Sequence, residues 1–185
     1  MLHLKNITAG NPRTAEQYKM TKRYAVTWLF SEDGKNWYEE IKNFASDTIK
    51  IAYATDGHVI WTGKDVSGIA PCGLSVIELP DITANRRITA PGYWFYRNGE
   101  FVFDYAMKAE NKRRTLLKQN SSLTSEWEKD LLSGIISDEN KEKLKANRIY
   151  TNALREMDFS QITDKASYAA ITWPAPPQNI AEDVK

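Results

Sequence analysis

The side chains that most often do chemistry are few and scattered in this chain of 185 residues. The two histidines, His3 and His58, lie in different segments, and the single cysteine, Cys72, has no candidate base close to it in sequence. A cysteine nucleophile needs such a base to become reactive. The chain contains no CxxC, no HExxH and no calcium-binding loop, and its glycines are too widely spaced to cradle a phosphate. The sequence therefore predicts a protein that is not an enzyme and uses no metal and no cofactor.

The composition narrows the class of partner. Charged residues make up 26% of the chain, hydrophobic residues 42%, and the net charge is +1. A chain with so little net charge has no global field that favours nucleic acid, and no apolar stretch approaches the roughly 18 residues of a membrane span. No basic segment followed by an apolar run opens the sequence, so we expect no secretory signal. One local basic run fits either a solvated helix face or a polyanion site: Lys108, Lys112, Arg113, Arg114 and Lys118.

Aromatic residues are the unusual feature, since the chain has six tryptophans. A small sheet domain cannot hide all of its aromatic side chains on one inner face. Those left on the outer face would form an exposed patch, and such patches usually bind a partner. Each of the following is therefore a candidate for the core or for a protein interface: Trp28, Trp37, Tyr38, Trp61, Trp94 and Tyr96.

The first half of the chain has the pattern of strands and turns. A capping-box pattern at Thr14 predicts a short helix ending near Arg23. Alternating residues predict a strand over 24–30, and Asp33-Gly34 predicts a turn into a return strand that begins at Asn36. Further strands are predicted over 49–53, 58–62 and 74–79. The stretch 93–103 predicts a hairpin whose Asn98-Gly99 pair suits a type I′ turn.

The second half has the pattern of helices. Residues 105–132 lack proline and glycine, Gly134 can end this helix, and Ser137 can cap the next one. Two apolar stripes predict an antiparallel helical hairpin: Leu116, Leu123, Trp127 and Leu131, then Leu144, Ile149, Tyr150, Ala153, Leu154 and Met157. A closing extended run with Trp173 could cover this hairpin or be offered to a partner. The sequence thus predicts an α+β protein with a β-rich domain over 1–104 and a helical hairpin domain over 105–185 that ends in a Trp-Pro tail.

Several segments together carry a resemblance to a known family. The opening stretch from "LHLKNITAG" to "EEIKNF", then "DTIKI" and "PDITANRR", resembles the phage tail-fibre assembly proteins, above all the Mu-like members. The second half resembles the C-terminal domain of the same family through "LLSGIISDENKEKL", "RIYTNALREMD" and the terminal Trp-Pro-x-x-Pro. The family usually has a tryptophan ahead of its tyrosine, where this chain has Ala146 and Asn147. The matching motif residues are Trp127, Gly134, Tyr150, Leu154, Asp158, Trp173, Pro174 and Pro177.

The resemblance implies a non-enzymatic assembly chaperone. Its β-rich domain would bind the C-terminal tip of a trimeric tail-fibre protein, and its helical domain would promote assembly, in the host cytoplasm. The alternative is a permanent subunit of the virion fibre that contributes to attachment by binding bacterial surface polysaccharide. Self-association stays open, and no nucleic acid or membrane partner is expected.

Overall fold

The structure of the chain, a computed structural model, describes residues 1–177. The chain divides into two compact units, Met1–Phe103 and a second that begins at Asp104. The first unit is built mainly on β-strands and the second on helices.

The first unit contains an antiparallel sheet of five strands in the order β2-β1-β5-β3-β4. The strands are β1 (His3–Gly10), β2 (Trp28–Phe30), β3 (Thr48–Ala54), β4 (Val59–Gly63) and β5 (Leu74–Pro80). A hairpin of β6 (Trp94–Arg97) and β7 (Glu100–Phe103) forms a second, two-stranded sheet. Three short α-helices lie between the strands, α1 (Ala15–Tyr24), α2 (Trp37–Glu40) and α3 (Thr83–Arg86), and a 3₁₀ helix (Ile41–Asn43) directly follows α2.

The large sheet carries a hydrophobic cluster on each face, because successive residues of a strand point to opposite sides. Ala52 of β3 belongs to a cluster with Leu4, Trp37 and Val76, which the segment around α2 covers. Its neighbour Ile51 belongs to the other cluster, with Ile49, Val59 and Ile88. The β6–β7 hairpin contributes Trp94 and Phe101 to this second cluster. Both faces are therefore at least partly covered.

Several sequence predictions are confirmed in this unit. Thr14 caps α1, since its hydroxyl accepts a hydrogen bond from the N–H of Gln17 at 3.1 Å. Strands β3, β4 and β5 and the β6–β7 hairpin lie where the pattern places them. Asn98 and Gly99 both have positive φ, 53° and 89°, as a type I′ turn requires.

Two predictions on either side of Ser31 are wrong. The strand predicted over 24–30 is only Trp28–Phe30, and all three of its residues are buried, because α1 extends through Tyr24 and covers Trp28 from the outside. The return strand predicted from Asn36 is helix α2, because the Asn36 side chain caps a helix by accepting the N–H of Tyr38 at 3.0 Å. Strand β1 was not predicted, and its weak alternation around Leu4 and Ile7 was the available signal.

The second unit is a helical hairpin of α4 (Tyr105–Leu132) and α5 (Asp138–Glu156), followed by a short helix α6 (Lys165–Ala169). The helices are antiparallel, since Arg113 near the start of α4 contacts the carbonyl of Met157, which follows α5. The predicted caps are confirmed. Gly134 has φ 73°, and the Ser137 hydroxyl accepts the N–H of Asn140 at 3.2 Å.

The predicted apolar stripes are wrong in part. Ile149 is 65% exposed and Leu131 is 49% exposed, so neither lies in the seam between the helices. The positions that the seam buries include polar residues, Asn120 and Thr124 on α4 and Asn147 on α5. A pattern that counts only apolar residues therefore includes some exposed positions and omits the buried polar ones, although Leu144, Tyr150 and Leu154 are buried as predicted.

The chain after α5 folds back against α4. The ring of Trp173 lies 5.6 Å from the ring of Phe159, and the Lys112 ammonium lies 4.3 Å from the centre of the Trp173 ring. Of the two arrangements that the sequence left open, the structure has the tail docked within the chain, against Phe159 and Lys112.

Candidate functional site

Two of the six candidate interface aromatics lie in the core of the first unit. Trp28 is 7% exposed, and its indole N–H donates to the Thr21 hydroxyl of α1 at 2.8 Å. Trp37 is 3% exposed and belongs to the cluster on one face of the sheet. These side chains hold α1 and α2 against the sheet, and they leave little surface for a partner.

The two tyrosines lie in different places. Tyr38 is 44% exposed, packs edge-on against Trp28, and donates its hydroxyl to the Thr27 carbonyl at 2.9 Å. Tyr96 is half-buried and packs on Tyr53 with ring centres 4.7 Å apart. Tyr96 thus joins the hairpin to the sheet, whereas Tyr38 keeps an exposed face.

Trp61 and Trp94 lie on opposite faces of the sheet, near strand β4. Trp61 pairs with Ala52 in the β3–β4 register and packs against the first cluster. Trp94 packs against the second cluster, which includes Val59 of β4. Both tryptophans are half-buried, so each combines a fixed position with an accessible part of its ring.

Strand β4 is an edge of the five-stranded sheet, with β3 as its one strand neighbour in that sheet among the described residues. The hairpin reaches only its beginning, through a bridge between His58 and Phe95. The register shifts between Ala52 and Tyr53, which leaves Ile60 as the extra residue of a bulge, 47% exposed. The stretch 60–63 is therefore open to pairing with another strand. We call this stretch the β4 edge.

A cavity of about 310 Å³ opens beside the β4 edge on the face of the second cluster. Ile49 and Ile88 form its apolar part, and Thr62 and Gly63 contribute the strand side. Lys64, Asp81 and Arg86 contribute the charged part, which we call the cavity rim. The β4 edge and this cavity together form the candidate site.

The cavity rim holds one carboxylate between two cations. Asp81 Oδ2 lies 2.7 Å from Lys64 Nζ, and Asp81 Oδ1 lies 2.6 Å from Arg86 Nε. The hydrogen bonds from Arg86 and Lys64 lower the pKa of Asp81 to about 2. The Asp81 side chain is 13% exposed, but those of Lys64 and Arg86 are 65% and 62% exposed. The rim therefore carries a net positive charge with accessible donors.

Sequence reasoning missed Ile60, the cavity and its rim. The bulge depends on pairing between strands, which a single sequence does not show. Lys64, Asp81 and Arg86 come from segments that only the fold brings together. The stretch "PDITANRR" carries a family resemblance, but one aspartate and two arginines are too common a set of charges to indicate a site.

The residues of the predicted C-terminal motif have mainly packing and turn positions in the second unit. Tyr150 and Leu154 are buried in α5, and burial raises the pKa of the Tyr150 hydroxyl. Asp158 accepts hydrogen bonds from the backbone and the hydroxyl of Ser160, which lower its pKa. The half-buried members are Trp127, Trp173, Pro174 and Pro177, and Gly134 is exposed at the turn.

Aromatic rings of the folded-back segment cover part of the basic run of α4. Lys108 lies 4.6 Å from the centre of the Tyr168 ring, and the Arg113 guanidinium lies 5.3 Å from that of Phe159. Lys112 lies over Trp173 in the same way. Cations over aromatic faces are attracted to the ring quadrupole, so these side chains have a role inside the unit.

The described residues contain no group of three or more His, Cys, Asp or Glu side chains that could hold a metal ion. None of the helices formed by residues 1–177 is long and apolar enough to cross a membrane.

Comparison with known proteins defines the class. The family model whose description is "Caudovirales tail fibre assembly protein, lambda gpK" matches residues 39–178. The chain belongs to this family of assembly proteins. It is 44% identical to the tail fiber assembly protein U' of Escherichia phage Mu and 45% identical to the protein of that name from Escherichia phage P1. It is also 38% identical to a probable tail fiber assembly protein of Escherichia phage P2. Each match covers 96% of this chain and all of the relative.

Proposed function

We propose that this protein is an assembly chaperone that binds the C-terminal tip of a phage tail-fibre protein and promotes its folding and trimerisation. Family membership supports the assembly role. The main support for the location of the binding site is the open β4 edge. A half-buried tryptophan lies near it on each face of the sheet, and a cavity lies beside it.

The mechanism follows from the hazard that fibre subunits face. A newly made β-rich chain exposes strand edges, and such edges pair with one another and aggregate. A chaperone that offers a strand of its own can cover one of them, since strand addition supplies main-chain hydrogen bonds. The β4 edge is suited to this task because no strand among the described residues pairs with its outer side.

Function of this kind needs no catalysis. Binding the fibre tip in a fold-competent state shifts the population towards assembly by mass action. We place this step in the host cytoplasm, where fibre subunits are synthesised. The second unit would then bring fibre chains together.

Co-expression with the fibre protein of the same phage tests the proposal. We expect soluble trimeric fibre with the wild-type protein and a severalfold lower yield with Ile60→Lys, because lysine on an edge strand discourages pairing. Val102→Lys is the matched control, since Val102 is 37% exposed on β7, a strand of the separate β6–β7 sheet. Equal yields of trimer with and without the wild-type protein would refute the chaperone role.

A second function, permanent residence on the virion fibre with binding of surface polysaccharide, has one observation in its favour. Trp61 and Trp94 each keep part of an aromatic ring accessible, and such rings can stack on sugars. Protein analysis of purified virions separates the two functions, because a transient chaperone is absent from the finished particle.

A further inference from the structure

The cavity beside the β4 edge has a composition that selects a particular strand. Its inner part is aliphatic, with Ile49 and Ile88, and its rim is positive, with Lys64 and Arg86 against the single carboxylate of Asp81. Asp81 is already held by both cations, whereas each cation keeps more than half of its side chain exposed. The rim can therefore accept a second carboxylate.

Strand geometry fixes how a partner would use these two parts. Side chains at positions i and i+2 of a strand lie on the same face, about 7 Å apart. A strand that adds to the β4 edge would direct alternate side chains towards the cavity. The intervening side chains of that strand would lie on the opposite face of the sheet, where the Trp61 ring lies close to Gly63.

We propose that the fibre strand which adds to β4 carries an aliphatic residue and, two positions away, an aspartate or glutamate. The aliphatic side chain enters the cavity between Thr62 and Ile88, and the carboxylate binds Lys64 and Arg86. This inference rests on the proposed function, and it adds the chemistry by which the fibre is recognised. The net positive charge of the rim is the reason for an acidic strand.

Charge reversal at the rim tests the carboxylate contact. Binding of the fibre protein from the same phage is measured by calorimetry for the full-length wild type, Lys64→Glu and Arg86→Glu. We expect each reversal to weaken binding about tenfold or more, since like charges brought together across an interface are strongly unfavourable. Lys19→Glu on α1 is the matched control, because Lys19 is exposed and distant in sequence from the rim, and it should bind as the wild type does.

Three further measurements keep the test valid even if a charge-reversal variant folds poorly. The affinity of the wild-type protein for the fibre should fall as the salt concentration is raised, because the contact is ionic. An acidic-to-lysine change on the fibre strand should restore binding to Lys64→Glu. Thr62→Phe, which fills the cavity from the strand side, should also weaken binding by about tenfold by blocking entry of the aliphatic side chain, and its melting temperature shows whether the variant is folded.

The outcomes separate the two proposals. Two results together would overturn the rim contact while fibre binding itself stands: a wild-type affinity that does not change with salt concentration, and unchanged binding by Lys64→Glu and Arg86→Glu. Failure of the wild type to bind the fibre at all would overturn the proposed function, and this inference with it.

Discussion

At the scale of single residues, Gly57 shows how closely the hairpin and the sheet approach in the first unit. The N–H of Tyr96 donates to the Gly57 carbonyl at 2.8 Å, and Gly57 has φ 89°. A Cβ at this position would overlap the Tyr96 carbonyl oxygen. Only glycine meets both requirements without strain.

We predict that Gly57→Ala lowers the free energy of unfolding by at least about 2 kcal/mol, from the sum of backbone strain and a clash with main-chain atoms. Gly73→Ala is the control, because Gly73 has φ 84° but no heavy atom within 4 Å of an added Cβ. It should lose only about 1 kcal/mol. Denaturant unfolding of both variants checks this, and equal losses would show that the contact with Tyr96 does not matter.

Asp81 gives a prediction in acid. Its pKa in the folded protein is about 2, below the ordinary value of 3.8, so its ionised form contributes stability above about pH 4. That contribution is lost as the pH falls from about 4 through about 2, where the group becomes protonated in the folded state. The wild type should therefore exceed Asp81→Asn in stability at neutral pH, and the gap should close in acid.

Urea unfolding of the two proteins at about pH 7, 4 and 2 checks this behaviour. Asp47→Asn, a change at an exposed carboxylate before β3, serves as the control. A gap between wild type and Asp81→Asn that stays constant with pH would contradict the role of the rim cations.

At the scale of elements, the α4–α5 hairpin is held by a partly polar seam. Asn120 is 3% exposed, and its amide donates to the Asn147 carbonyl at 3.3 Å and to the Thr151 hydroxyl at 2.8 Å. These donated bonds fix the orientation of the amide, because the Asn147 carbonyl can only accept. The seam thus depends on the donor capacity of one side chain.

Asn120→Asp should be severely destabilising. The change removes the donor and buries a carboxylate against a carbonyl oxygen, at a cost of about 3 kcal/mol near neutral pH. Burial raises the pKa of such a carboxyl, so the new carboxyl should be partly protonated near pH 4. Part of the lost stability should therefore be recovered at that pH. Thermal unfolding at both pH values checks this. Asn152→Asp, at an exposed position of α5, should change little, and an equal loss there would point to a general charge effect.

The elements also show what a single sequence can and cannot predict. Caps and turns were predictable, because Thr14, Ser137 and Asn98-Gly99 act through local hydrogen bonds and local backbone angles. The short strand β2 was not predictable, because packing around Trp28 decides its length. Helix α2 was not predictable either, because the helix cap at Asn36 competes with a strand at the same position. The polar positions of the seam escaped prediction because buried amides occupy positions where apolar residues are expected.

At the scale of the whole molecule, the family and the α+β class follow from patterns spread over most of the chain. The candidate site does not, since Lys64 at the end of β4 meets Asp81 and Arg86 only in the folded unit. Of the aromatics selected from the sequence, Trp61 belongs to the β4 edge and Trp94 packs against the second cluster, while Trp28 and Trp37 lie in the core. Surface and interior aromatics look alike in a sequence, and burial separates them.

The central claim is that the β4 edge binds the fibre tip, and amide hydrogen exchange tests it most directly. The full-length protein is compared alone and with the fibre protein of the same phage. The account predicts that binding slows exchange in residues 60–63, because amides of a paired strand are protected, while the outer edge of β7 stays unchanged. Unaltered exchange along β4, with new protection confined to other segments, would contradict it.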